Sequence, residues 1–248
     1  MAGALHTMLA PHPPLHDYYG DASRREGFVR TIFDDTAPWY DQTISFMSFG
    51  SGDRYRRDAV VRNGLQPGMK MLDVASGTGV VARAALEATK NDVDIVALDP
   101  SIGMMLAGRS KLDKVQAKAE SLPIASAQFD FLTIGFALRH FADLRGVFEE
   151  CRRVLKPGGR LLILELTAPQ SAAGRAFLGL YLGRVVPFVA RVRSGNREAG
   201  TLMRYYWDTI RTCVRPEAIL QALAEAGFAD VKRHVELGVF SEYSARRP

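Results

Sequence analysis

Apolar and polar positions change period along the chain. In "REGFVRTIFDDTAPWYDQTISFMSFG", from Arg25 onward, apolar residues recur at helical spacing up to Pro38 and resume after it. That pattern predicts short helices broken near Ala37 and at Gly50 and Gly52. From Met69 the pattern alternates: "MKMLDVAS", "VDIVALD", "VQAKA", "FDFLTIGFA" and "RLLILELTA" read as strands. Between them "VVARAALEATK", "SIGMMLAGRSKL" and "LRGVFEECRRVL" read as helices, and "KPGG", Lys156 to Gly159, as a turn before a strand. Short apolar strands interleaved with helices predict an α/β fold, a parallel sheet covered on both faces with its ligand at the carboxyl ends of the strands.

The ends of the chain read differently. Residues 1 to about 20 carry His6, His12 and His16 among Pro11, Pro13 and Pro14 without period, which predicts a solvated, flexible arm. After Pro169 comes "SAAGRAFLGLYLGRVVPFVARVRSG", strongly apolar but punctuated by Arg175, Arg184, Arg191 and Arg193. It reads either as an amphipathic lid packed on the core or as an interfacial helix whose cations meet anionic headgroups. A helix "NREAGTLMRYYWDTIRTC", a Pro-started helix "PEAILQALAEAGF" and two strands, "ADVKRHVEL" and "VFSEYSA", follow. The predicted organisation is one domain: arm and helical cap at 1–62, core at 63–168, lid at 169–212, and a completing helix and strands at 213–248.

Composition narrows the classes. With 248 residues, 47% hydrophobic and 24% charged, the chain is an ordinary globular one. Its net charge of +5 is spread without a basic stripe, so no nucleic-acid partner is expected. Cys151 and Cys213 stand alone, suggesting neither a disulfide framework nor a metal site. The N-terminus lacks the basic start and apolar core of a secretory signal. No uninterrupted run of about 18 apolar residues occurs, so no spanning helix is expected. A cytoplasmic location follows, peripheral to the inner face of a membrane if the lid touches lipid, with the oligomeric state left open.

The candidate chemistry sits in "MLDVASGTGVVARAA". Gly77, Gly79 and Ala82 fit the G-x-G-x-x-A fingerprint of a dinucleotide enzyme, and Asp73 to Gly79 equally fit the D-x-A-x-G-x-G loop, with Ala75 and Thr78 inside it, of S-adenosylmethionine (SAM) enzymes. An acid at Asp73 would oppose a pyrophosphate but hold the ammonium of SAM. Asp99, twenty residues past Gly79, suits the ribose hydroxyls of either cofactor, or else caps the helix starting at Ser101. Lys118 and Ala119, followed by Glu120 and Pro123, fall beside the presumed adenine. Taken in order, these landmarks favour SAM over the NAD-type oxidoreductase.

The sequence closely resembles the ubiquinone/menaquinone biosynthesis C-methyltransferases, the UbiE-type family of class I SAM-dependent methyltransferases. The resemblance runs over about residues 28 to 235, through "IFDDTAPWYDQTISFMSFG", "LDVASGTG", "AESLP", "FALRHF", "RVLKPGGRLLILELTAP" and "RYYWDTI". It implies a Rossmann-like, seven-stranded, mostly parallel sheet with helices on both faces. The implied reaction is methyl transfer from SAM to a ring carbon of a polyprenylated quinol, with Thr78, Asp99, Lys118 and Ala119 touching the cofactor and Tyr40 and Arg139 near the ring. His140 stands where the family usually has Asn. A neighbouring hydroxyl must lose its proton before the ring carbon is nucleophilic, and a histidine of pKa about 6.5 suits that task near neutrality. The competing readings are a local backbone hydrogen bond for His140, an Arg139–Asp143 surface pair, and core packing for Tyr40 and Trp39. Asp41 and Asp208 are further candidates. At the level of function the alternatives are another phenolic, lipid or natural-product acceptor, another quinone modification, or a SAM-binding protein without catalysis.

Overall fold

The structure, a computed structural model, describes residues 8–248. Seven strands form one sheet: β1 Met69–Val74, β2 Val93–Asp99, β3 Asp113–Gln116, β4 Phe129–Gly135, β5 Leu155–Leu166, β6 Ala229–Glu236 and β7 Phe240–Arg246. Their order is β3-β2-β1-β4-β5-β7-β6, with β1 to β5 parallel and β7 antiparallel to both its neighbours. This is the expected seven-stranded, mostly parallel sheet. β1 and β4 are buried almost throughout, because helices cover both faces and leave no polar side to alternate with. Helices α6 (Leu144–Val154) and α10 (Pro216–Glu225) pack one face around Phe148 and Leu223, while α3 (Gly52–Arg62) and α4 (Val80–Ala88) pack the other around Ala59 and Val81. The strand order reverses between β1 and β4, and that switch point opens the crevice where ligands of such folds lie.

A third apolar layer lies over the carboxyl ends of the strands. It gathers α1 (His16–Tyr19), α2 (Arg25–Met47), α7 (Ala172–Leu180), α8 (Val186–Ser194) and α9 (Arg197–Thr212) around Tyr205, Leu202, Val186 and Ile32. The remaining helix, α5, is only Ile102–Ala107. Four sequence expectations are corrected here. Helix α2 runs unbroken through Pro38, because the tertiary contacts of its cap face outweigh the one backbone bond that proline removes. The described part of the N-terminal arm is not a solvated tail: the Leu9 amide donates to Asp143 at 2.9 Å, the Val214 amide to the Pro11 carbonyl at 2.7 Å, and His12 is 2% exposed. His6 lies outside the described residues. "KPGG" falls within β5 rather than before it, where pairing with β4 jumps from Phe129–Leu155 to Phe131–Arg160. Finally, Ala172–Ser194 is one 23-residue helix, continued through a π-turn at Tyr181–Val185, and it is long and apolar enough to cross a membrane by length and composition. Counting uninterrupted apolar runs overlooked it, since its mean hydropathy survives the interspersed arginines.

Candidate active site

The loop after β1 turns three times through left-handed conformations, at Ala75 (φ 53°), Gly77 (φ 55°) and Gly79 (φ 78°). Glycine suits position 77, where φ is positive and a Cβ would lie 3.1 Å from Met104 Cε. Gly79 has no side chain with which to cap α4, so no N-cap side chain holds the first amides of that helix. Asp99 accepts from the Gly77 and Ser101 amides, both at 2.8 Å, and burial nevertheless raises its pKa to about 6. It is not the N-cap of α5, since Ser101 Oγ takes the Met104 amide in that role.

Ala75, Gly77, Thr78, Asp99, Lys118 and Ala119 all line one cavity of about 670 Å³. Gly79 stands just behind it. Asp73 does not reach the wall either: it is 1% exposed and accepts from Thr133 Oγ1 at 2.6 Å, which ties β1 to β4. Burial lifts its pKa to about 7. The acid that the sequence sets against an ammonium therefore acts as a strut under the loop. Ser76 lines the cavity, and its Oγ is buried without a partner among the described residues.

Helix α2 closes the cavity with three carboxylates that meet the three loops in turn. Glu26 pairs with Lys118 beyond β3 at 2.7 Å. Asp34 accepts from Ser101 Oγ at 2.5 Å and the Gly103 amide at 2.9 Å beyond β2. Asp41 accepts from Thr78 Oγ1 at 2.5 Å and meets Arg83 at 3.1 Å beyond β1. The Lys118–Glu26 pair is exposed and energetically minor. The other two contacts are partly buried and fix the helix. Asp41 thus belongs to the site's frame, whereas Asp208 accepts from Tyr18 at 2.5 Å away from the cavity.

The far half of the cavity is apolar, walled by Phe33, Ile44, Met47, Leu166, Leu182 and Phe240, with Tyr40, Tyr206 and His140 among them. His140 packs edge-on to Phe33 (5.2 Å) and stacks on Tyr205 (5.5 Å). Neither ring nitrogen has a hydrogen-bond partner among the described residues, while the His140 amide makes the local backbone bond, donating to the Ala137 carbonyl at 2.8 Å. Burial first, then the charges of Arg139 and Arg25, hold its pKa well below 6.5. The expectation that it titrates near neutrality is corrected: it is a neutral acceptor. Burial, reinforced by neighbouring Tyr206, raises the Tyr40 hydroxyl above the ordinary tyrosine range, so it stays protonated.

Arg139 is fully buried and does not line the cavity. Its partner is Glu165 Oε1, not Asp143, which caps α6 instead. Arg139 Nε donates to Thr209 at 3.1 Å, and its guanidinium carbon lies 3.8 Å from the centre of the Tyr206 ring. Any influence on a bound ring passes through neighbours such as Tyr206 and His140. Besides Lys118, Arg30 and Arg56, the wall carries the cation Arg25, which sequence reading missed. Its Nη2 donates to the Arg139 carbonyl at 2.8 Å and to His12 Nε2 at 3.0 Å. His12 Nδ1 donates to the Pro13 carbonyl at 2.7 Å, leaving Nε2 as acceptor, and burial lowers its pKa to about 4. No sequence signal marks Arg25, because its partners come from the arm and from the loop after β4. Away from the site, His234, Glu236 and Glu242 cluster closely, but Arg62 pairs both carboxylates at 3.0 and 2.5 Å.

Known proteins of this shape and sequence agree. The model of the ubiE/COQ5 methyltransferase family matches residues 21–245. A demethylmenaquinone methyltransferase of Paenarthrobacter aurescens (strain TC1) is 35% identical over 91% of this chain and 88% of its own. One of Mycobacterium marinum (strain ATCC BAA-535 / M) is 38% identical over 89% and 94%. In fold, the chain is similar to a SAM-dependent methyltransferase, a possible histamine N-methyltransferase, of Thermotoga maritima, with a TM-score of 0.63, 18% identity, and 88% and 99% of the two chains covered.

Proposed function

The chain belongs to the ubiE/COQ5 methyltransferase family, and on that premise we propose that it transfers the methyl group of SAM to a ring carbon of a polyprenylated quinol. The relatives' activity favours a demethylmenaquinol-type naphthoquinol as the acceptor. The observation that carries the reading is the two-part cavity: a glycine loop with Asp99 at one end, and at the other an apolar chamber whose wall includes His140, its ring nitrogens buried and without a partner among the described residues. Family membership also displaces the NAD-type reading of the glycine loop.

The residues fit SAM. The Asp99 carboxylate would accept ribose hydroxyls, Ala119 and Lys118 would flank the adenine, and the open amides of α4 would meet the amino-acid carboxylate. When bound, SAM supplies a methyl on a sulfonium whose C–S bond breaks as the ring carbon's electron pair takes the methyl. The protein's work is positioning and proton handling. Tyr40, held protonated, donates a hydrogen bond to one quinol oxygen. His140 accepts the hydrogen of the activating hydroxyl. As the new C–C bond forms, that hydroxyl becomes a protonated ketone, acid enough to release its proton to a weak base. Arg139 and Arg25, both cationic beside His140, keep it from retaining the proton. The methylated ring carbon then releases its hydrogen as a proton to solvent while the oxygen takes back the proton held by His140, which restores the aromatic quinol.

Such an acceptor is a lipid, which supports a cytoplasmic enzyme peripheral to the inner face of the membrane. The test is transfer of label from SAM to prenylated demethylquinols, reduced in situ, by wild type and His140→Ala. Wild type should label the ring, and the variant should lose at least about tenfold in kcat with S-adenosylhomocysteine binding retained. Binding of S-adenosylhomocysteine without labelling of any prenylated quinol would overturn the acceptor, and equal turnover would remove His140 from the chemistry.

A further inference from the structure

The helix Ala172–Ser194 has two unlike sides. Leu178, Tyr181 and Leu182 line the acceptor chamber, and Val186, Pro187 and Ala190 are buried in the helical layer. The opposite side is bare: Phe177 is 71% exposed, Phe188 69% and Val192 64%, with Leu180 and Val185 also exposed. Only 17% of its most apolar window is buried, unlike the core helix of a soluble protein. Phe49, 81% exposed, stacks on Tyr181 from the turn after α2 and widens the same patch. Between Ser171 and Gly195 there are four arginines, at 175, 184, 191 and 193, and no acid.

These features select among occupants. A spanning helix is surrounded by lipid, whereas this one gives a side to the chamber and carries four charges. A second copy docking through the same patch would set two sets of arginines against each other, since an isologous contact pairs like with like. An anionic bilayer complements both the charge and the apolar side chains. We propose that the outer side of this helix lies in the headgroup region of an anionic membrane while its inner side walls the acceptor chamber. The apolar tail then passes beside Tyr181 and Leu178 from lipid to chamber without crossing water. The docking rests on the proposed acceptor only for that route.

Sedimentation with vesicles tests it, using the whole protein without acceptor or SAM. Wild type should bind phosphatidylglycerol–phosphatidylcholine vesicles at least about tenfold more tightly than phosphatidylcholine alone, and high salt should weaken binding. Phe177→Ser/Phe188→Ser and Arg184→Glu/Arg191→Glu should each lose binding yet keep the wild-type melting temperature, because these side chains are exposed. Their turnover of a short-tailed, water-soluble quinol should be unchanged. Binding equal in wild type and both variants, or absent in wild type, overturns the proposal. So does a wild-type dimer in light scattering that both variants abolish, which would make a second copy the occupant. Vesicle binding is read without turnover: a protein that binds vesicles but methylates no prenylated quinol keeps the docking and loses the acceptor, and the reverse result does the opposite.

Discussion

His12, Arg25, Arg139 and His140 form a buried group in which charge is settled by neighbours. Arg139 and Glu165, 0% and 2% exposed at the side chain, are a buried ion pair, and removing one partner leaves an uncompensated charge. Arg139→Ala should therefore lower stability by about 3–5 kcal/mol, visible as a drop in melting temperature before any assay of turnover. If it melts like wild type, the pair is not structural. For His12 the folded pKa of about 4 lies below the unfolded value near 6.5. The unfolded chain then binds a proton that the folded one refuses, so stability is full above about pH 6.5 and falls as pH drops toward 4, by roughly 3 kcal/mol. Asp73 and Asp99, with raised pKa values, act in the opposite sense, but equally in a His12→Asn variant. Denaturant melts at pH 7.5 and 4.5 should show a smaller acid loss for the variant; parallel losses would refute the assignment. Local residues were legible: the glycine loop and Asp99 announce themselves within a few positions. Arg25 was not, because it is made functional by a carbonyl 114 residues away, and Asp73 was misplaced because spacing does not say which way a strand-end side chain points.

Helix α2 is the element on which both halves of the site depend. One side of it carries Glu26, Asp34 and Asp41 to the cofactor loops, and the same helix sends Phe33, Tyr40, Ile44 and Met47 into the chamber. Its backbone comes close to Gly103, where a Cβ would stand 2.8 Å from Asp34 Oδ1 and 3.1 Å from Asp34 Cα. Backbone cannot yield there as a side-chain tip can. Gly103→Ala should lift α2 from the loop and weaken S-adenosylhomocysteine binding by about tenfold in calorimetry, about 1.4 kcal/mol. Unchanged affinity would show that α2 does not shape the cofactor end. Periodicity predicted helix on both sides of Pro38 but not its continuity, since tertiary contacts decide whether a proline ends a helix.

Across the molecule, four of the five parallel strands, β1, β2, β4 and β5, could be read from sequence because each is a local apolar run followed by its own helix, whereas β3 is short, polar and leads directly to β4. The insertion of β7 between β5 and β6 could not, as it depends on pairing between strands more than seventy residues apart. The strand order brings the cofactor loops to one edge, and α2 and the lid close over that edge, so ligand binding should stabilise the whole fold. S-adenosylhomocysteine at a hundred times its Kd should raise the melting temperature by roughly 5–10 °C, while NAD at the same concentration should leave it unmoved. A shift with NAD would reopen the oxidoreductase reading. The cavity also runs undivided from Asp99 to Phe240. A single inhibitor joining an adenosine head to a branched hydrocarbon arm would therefore engage both ends at once, each tethering the other at high local concentration. Its selectivity over other enzymes that use the same nucleoside would come from the arm, whose pocket is built by α2 and the lid rather than by the glycine loop.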